Sequence, residues 1–200
     1  DLIQPASIDL RLGFKAWRVP ASFLPGKQNK VSSRLKDLAM HEFSLIDGAV
    51  LECGCVYIVK LLECVRLTEN LTGIANPKSS TGRLDVFTRL IVDGSIEFEE
   101  VPAGYEGPLY AEISPRTFSV LVRTGSRLNQ LRLRRGQPLT TDKEMEILQE
   151  HLGLVRNQDD FNLPDKIKNG VPLSVDLVGE NGLIGYKARK HSMLIDIDKP

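Results

Sequence analysis

Three short stretches of this 200-residue chain hold side chains able to do chemistry on a charged ligand. The first is Ala75-Asn76-Pro77-Lys78-Ser79-Ser80-Thr81-Gly82-Arg83-Leu84, where Lys78, Ser79, Ser80 and Arg83 bring an ammonium, two hydroxyls and a guanidinium close together. Pro77 disfavours helix in the residue before it. With Gly82 permitting close approach, backbone N–H groups here can face an anion, as at a helix N-terminus or a nest. A solvated, Ser-rich turn leading into a strand accounts for the same composition. The second stretch runs from Val101 to Glu112. Gly104 and Gly107 flank a tight approach, and Tyr105 between them can stack on a ring. Glu112 falls on the strand that follows, sharing a face with Tyr110 and opposing Leu109, Ala111 and Ile113. A glutamate so placed either points to solvent or sits in a pocket. The third is Val122-Arg123-Thr124-Gly125-Ser126-Arg127-Leu128-Asn129-Gln130-Leu131, a Gly125 turn leading into a strand with Arg127 at its start. Arg132, Arg134 and Arg135 follow. That density of arginine reads either as a phosphate-binding rim or as a charged strand edge.

Metal ligation finds little support in the sequence. Cys53, Cys55 and Cys64 are few and odd in number, and His41, His151 and His191 are isolated. Neither His-x-Glu nor Pro-Cys-x-x-Cys occurs, so the cysteines read as structural rather than as zinc ligands. The same cysteine usage fits a reducing cytoplasm.

The composition narrows what these stretches can serve. There are 26 basic and 26 acidic side chains, for a net charge of zero, so nothing draws the whole chain to nucleic acid or to anionic lipid. No apolar run approaches the roughly 20 residues that a membrane span needs. The opening Asp1-Leu2-Ile3-Gln4 has no signal-peptide character, and the missing initiator Met leads us to expect an incomplete N-terminus.

The elements that must position these residues are mostly strands. Val56 to Leu62, Leu109 to Ile113 and Phe118 to Val122 are short apolar runs, separated by turn signals such as Asp47-Gly48, Asp93-Gly94 and Thr124-Gly125. Many short strands with regular turns predict a mainly β fold, a sandwich or barrel-like jelly roll with a few short helices. One helix is expected around Ser32 to Met40, with Ser32 or Ser33 as its N-cap. A second is expected over 141–152: Thr141 and Glu144 have capping-box spacing, Met145, Leu148 and Leu152 give a packing face, and Gly153 suits a C-cap.

A repeat sets the domain expectation. Pro5-Ala6-Ser7-Ile8-Asp9-Leu10 is echoed by Pro172-Leu173-Ser174-Val175-Asp176-Leu177, and Gly13-Phe14-Lys15-Ala16 by Gly185-Tyr186-Lys187-Ala188. We therefore expect a β domain over 1–138, a helix and linker over 139–168, and the beginning of a second, truncated copy over 169–200.

The three stretches, together with Pro5 to Gly13 and in this order, resemble the superfamily of trimeric dUTP diphosphatases and dCTP deaminases over about residues 3–136. Pro77 to Arg83 is similar to its Arg/Lys-Ser-Ser phosphate motif. Gly104-Tyr105-Glu106-Gly107 is similar to its glycine–aromatic turn, and Arg123 to Leu131 to its Arg-x-Gly-x-Arg-hydrophobic-x-Gln-Leu segment. The resemblance implies a dUTPase-like distorted jelly roll or β-barrel. Two positions then point to the deaminase branch. The diphosphatases carry a water-activating Asp three residues before the turn aromatic, where this chain has Pro102. The deaminases carry a Glu seven residues after it, which is Glu112, and an Arg four residues after the first Ser, which is Arg83. Lys78 stands where single-domain deaminases often have Arg, which keeps charge but not bidentate geometry.

The activity implied is zinc-independent hydrolysis of dCTP to dUTP and ammonia. Glu112 would be the general base and acid, Ser79 would hold the water, and Arg83 would stabilise the intermediate. Lys78, Ser80, Gly104, Tyr105, Arg127 and Gln130 would bind the nucleotide, with Mg²⁺ accompanying the triphosphate. A homotrimer is implied, with neither nucleic acid nor membrane as partner. The alternatives are a dUTP diphosphatase, a bifunctional deaminase–diphosphatase, and a non-catalytic nucleotide-binding copy.

Overall fold

The computed structural model describes residues 2–136, 140–156, 167–171, 175–187 and 193–199. Contacts divide the chain into two compact units, Asp1–Gly136 with Ala188–Pro200, and Gln137–Lys187. In the first unit the elements are β1 (Ile8–Val19), α1 (Val31–Leu38), β2 (His41–Ser44), β3 (Ala49–Leu51), β4 (Val56–Arg66), β5 (Leu71–Pro77), α2 (Ser79–Arg83), β6 (Val86–Val92), β7 (Glu100–Val101), β8 (Glu106–Pro115), β9 (Val120–Val122) and β10 (Arg127–Arg135). The second unit holds α3 (Asp142–Leu152), and β11 (Ile195–Asp196) belongs again to the first. No helix among the described residues is long and apolar enough to cross a membrane.

The main sheet runs in the order β6-β8-β4-β1-β10-β5-β7, with β2 also paired to β1. Its two ends curl toward each other and meet at Glu99. The Glu99 N–H donates to the Leu90 carbonyl of β6 at 3.0 Å, and the Ala75 N–H of β5 donates to the Glu99 carbonyl at 2.8 Å. Holding both bonds puts Glu99 in the left-handed region, at φ +70°. The sheet is therefore a nearly closed barrel, the mainly β architecture expected from the strand and turn spacing. Leu10, Leu12, Val59, Leu61, Leu90, Leu109, Ala111 and Ile113 point into it. Tyr110, Ile58 and Ile91, on the opposite face, pack with Val31 and Leu35 of α1. Strand β8 is thus covered on both faces, which is why its second half is buried at every position. Gly13 lets β1 pass close to β4, because a Cβ there would lie 2.3 Å from the Lys60 carbonyl oxygen.

Helix α1 differs from expectation at its start. Lys30 occupies the N-cap and no local side chain caps it. The Val31 N–H instead donates to Asp93 Oδ1 at 2.8 Å, so a carboxylate delivered from the β6 end does what Ser32 or Ser33 was expected to do. A second, three-stranded sheet runs β11-β9-β3, with β11 parallel to β9. Arg123 forks onto both oxygens of Asp196 at 2.7 and 2.8 Å, which holds the Asp196 carboxyl down at about 2.

In the second unit, α3 has the expected capping box and a left-handed Gly153. Its apolar stripe does not pack as expected: the helix buries no residue, and Leu148 and Leu152 remain 38% and 61% exposed. Most of the expected linker, and Pro172 to Ser174 of the repeat, lie outside the described residues. The described part of the second repeat, Val175 to Lys187, forms one isolated bridge, Glu180 to Leu183, and no strand like β1. A strand needs a neighbour for its N–H and C=O groups, and here Val175, Leu177 and Tyr186 are exposed. Among the described residues after it, 193–199, β11 pairs with β9 of the first unit.

Candidate functional site

The cation-rich stretch becomes the end of β5 and the short helix α2. Pro77 closes the strand and Lys78, with extended backbone, starts the helix. Helix and strand are moored to β10: the Lys78 N–H and the Thr81 hydroxyl both donate to the Leu128 carbonyl, at 2.8 and 3.0 Å. Ser79, Ser80 and Arg83 are exposed, and a Cβ at Gly82 would meet nothing within 4 Å, so this turn is open to a ligand. Lys78 turns inward. Its Nζ lies 2.5 Å from Oδ2 of Asp9 on β1, and Nη1 of Arg127 lies 3.4 Å from the same oxygen. Asp9 is wholly buried and its Oδ1 has no hydrogen-bond partner. Gln130 faces Asp9 in the β1–β10 register and accepts from the Ser7 hydroxyl at 3.0 Å. Lys78, Arg127 and Gln130, far apart in sequence, therefore converge around a carboxylate that the sequence reading did not single out. No local signal marks it, because Arg11, Lys15 and Arg18 put further charges on the same strand.

Glu112 resolves its two sequence readings in favour of burial. It is 1% exposed, between Ile58 of β4 and Arg89 of β6 in the sheet register. Arg89 donates from Nε and Nη2 to the same oxygen, Oε1, at 3.2 and 2.7 Å. Oε2 is buried without a partner. Arg89 also donates to the Ser22 hydroxyl at 2.6 Å, and its guanidinium lies 3.5 Å over the Phe98 ring. Neither Arg89 nor Ser22 was found by motif, since each contributes through a tertiary contact. No hydrogen bond or ion pair among the described residues joins Glu112 to Ser79, Arg83 or Lys78. The candidate residues thus form two clusters on one chain, a cation end at α2 and a carboxylate on β8.

The glycine–aromatic turn is built for its own integrity. Gly104 has φ +70°, and a Cβ there would lie 2.4 Å from Glu69 Oε1. Tyr105 packs its ring against the barrel core, where it was expected to stack on a ligand. Its hydroxyl donates to the Pro108 carbonyl at 2.7 Å and accepts from the Asp93 N–H, and burial pushes it up to about 12. A cleft of about 530 Å³ opens beside Tyr110, lined by Trp17, Ser32, Lys36, His41 and Lys60 among others, and none of the residues expected to bind nucleotide lines it. Among the described residues, no cluster of three or more His, Cys, Asp or Glu is placed to hold a metal.

Glu99 brings a second carboxylate near Glu112. Burial is the main cause that raises it to about 7, with the Glu112 charge adding to the rise, against the Leu90 N–H bond and Arg89, which lower it. A carboxyl raised in the folded state keeps a proton that the unfolded chain releases, so stability falls as pH rises from about 4.5 to about 7. Glu99→Gln removes that loss while its amide oxygen still accepts from Leu90. The variant should match wild type near pH 5 and exceed it by about 1–2 kcal/mol at pH 8, a value discounted for partial exposure. Urea midpoints at the two pH values check this, and a difference that does not change with pH would refute it.

Residues 1–137 match the model of the 2'-deoxycytidine 5'-triphosphate deaminase N-terminal domain, and residues 141–200 match that of the C-terminal domain. The chain is similar to the crystal structure of 2'-deoxycytidine 5'-triphosphate deaminase from Agrobacterium tumefaciens, with 52% identity and a TM-score of 0.88. The similarity covers 100% of this chain and 57% of that one, so the chain spans a little over half of its length. None of the curated proteins compared with the chain matches it.

Proposed function

The chain belongs to the dCTP deaminase family, and from that membership we propose that it hydrolyses dCTP to dUTP and ammonia. The observation that carries the reading is Glu112, a buried carboxylate with one oxygen gripped by a guanidinium and the other without a partner. Pro102, three residues before Tyr105, supplies no carboxylate at the position that would favour phosphoanhydride hydrolysis instead.

In the proposed reaction Glu112 takes the proton of a water and returns it to the ring or to the departing ammonia. Ser79 holds the water, and Arg83 stabilises the tetrahedral intermediate at C4 of cytosine. Lys78, Ser80, Arg127 and Gln130 hold the triphosphate, with Gly104 and Tyr105 shaping the turn beside it. Mg²⁺ would accompany the triphosphate and supply part of its charge neutralisation, beside Lys78 and Ser80. The proton steps are assigned to Glu112 without a zinc-bound hydroxide.

Ser79 and Arg83 do not meet Glu112 within the chain, so we assign the complete site to a homotrimer, with α2 of one copy approaching Glu112 of another. Three free cysteines, two of them exposed, suit a reducing cytoplasm.

Product identification tests the reading. The protein is incubated with dCTP and, separately, with dUTP, with and without Mg²⁺. We expect dUTP and ammonia from dCTP. Formation of dUMP and pyrophosphate would move the assignment to a diphosphatase or a bifunctional enzyme, and binding without turnover to a non-catalytic nucleotide-binding protein.

A further inference from the structure

We propose that Arg89 is the positioning residue for Glu112, fixing Oε1 and so leaving Oε2 as the oxygen that exchanges the proton. The inference rests on the reading of Glu112 as the general base. Strands β6 and β8 place Arg89 and Glu112 directly opposite each other. An arginine commonly forks onto both oxygens of a carboxylate, as Arg123 does with Asp196. Arg89 does not. Both of its donors converge on Oε1, at 3.2 and 2.7 Å.

The guanidinium is itself held in place. Nη2 also donates to the Ser22 hydroxyl at 2.6 Å, the Phe98 ring lies 3.5 Å from its centre, and the Phe87 ring lies 4.9 Å away. Stacking against aromatic faces and a rigid set of N–H directions are properties of a planar guanidinium that an ammonium lacks. The carboxylate therefore cannot rotate to exchange its oxygens without breaking two hydrogen bonds. Oε2 keeps free lone pairs in a buried place, where acceptors are ordinarily satisfied. A fork across both oxygens would have occupied one of the two lone pairs of Oε2 and lowered its basicity. The grip on one oxygen orients the carboxylate and leaves the other able to act.

The test is steady-state deamination of dCTP by Arg89→Ala and Arg89→Lys, with Glu112→Gln measured in parallel. We expect kcat of Arg89→Ala to fall about 100-fold with KM within about threefold, because orientation of the base is lost while nucleotide contacts stay. Millimolar guanidinium should restore part of that kcat. Arg89→Lys keeps charge and bulk but not the planar geometry, and should still lose about tenfold in kcat. It also keeps the inference testable if Arg89→Ala does not fold. Wild-type kcat in Arg89→Lys overturns the proposal, as does a loss in Arg89→Ala that lies in KM and is not rescued. If Glu112→Gln is inactive while the Arg89 variants are active, only the positioning role fails. If Glu112→Gln is itself active, the reading of the base has failed.

Discussion

Glu112→Gln should deaminate dCTP at least about 100-fold more slowly than wild type, since a positioned general acid/base contributes roughly 10²–10⁴-fold. The substitution is nearly isosteric. Its amide oxygen can still accept from Arg89, but its NH₂ cannot take a proton from water. The same change leaves Arg89 without its counter-charge. Because Arg89 is a quarter exposed and also held by Ser22 and Phe98, the stability cost should be about 1–2 kcal/mol, below the roughly 3–5 kcal/mol of a fully buried broken pair. Nucleotide binding, measured by calorimetry with dCTP, should survive. A Glu112→Gln protein that turns over dCTP at a wild-type rate would remove the base from β8 altogether.

Lys78→Met should destabilise the fold more than its half-buried position suggests. Asp9 has no exposed surface and depends on Lys78 at 2.5 Å, with Arg127 further away at 3.4 Å. Removing the nearer cation leaves a buried carboxylate poorly compensated, at a cost of about 2–4 kcal/mol. Adding Asp9→Asn to Lys78→Met removes the stranded charge and should recover a large part of the loss. Urea unfolding of the two single variants and the double variant closes the cycle. If Lys78→Met unfolds at the wild-type midpoint, the pair with Asp9 carries no stability, and Lys78 is available to nucleotide alone.

The extent to which the sequence could be read follows from how local each signal is. The α3 capping box is complete within four residues, Thr141 to Glu144, and it forms as expected. The strand and turn pattern before residue 136 gives a mainly β fold because alternation is a property of neighbours. The cap of α1 was misjudged because its true acceptor is Asp93, 62 positions away. Glu112 could be located by its distance from Tyr105, but its burial depends on β4, β6 and α1 covering both faces of β8. Arg89, Asp9 and Glu99 lack any local pattern, since their roles exist only once β6 meets β8, β1 meets β10, and the sheet ends close. Of the repeat, the described residues Val175 to Lys187 form a single bridge, Glu180 to Leu183, and leave Val175, Leu177 and Tyr186 exposed.

The central place of β1 also sets an order of events during synthesis. Its second half, from Lys15 to Val19, pairs with β2 and β4, which follow within a few dozen residues. Its first half pairs with β10, and the Ser7–Gln130 hydrogen bond spans 123 positions. At about 5–20 residues per second, Ile8 to Leu10 wait on the order of ten seconds for that partner to be made. The strand is therefore zipped from its C-terminal end backward, and the closure of so long a loop comes late and slowly. Asp9 lies on the part that waits. The ion-paired cluster it forms with Lys78 and Arg127 is among the last features to assemble, so an unfinished chain on the ribosome leaves the Lys78 ammonium without its carboxylate partner.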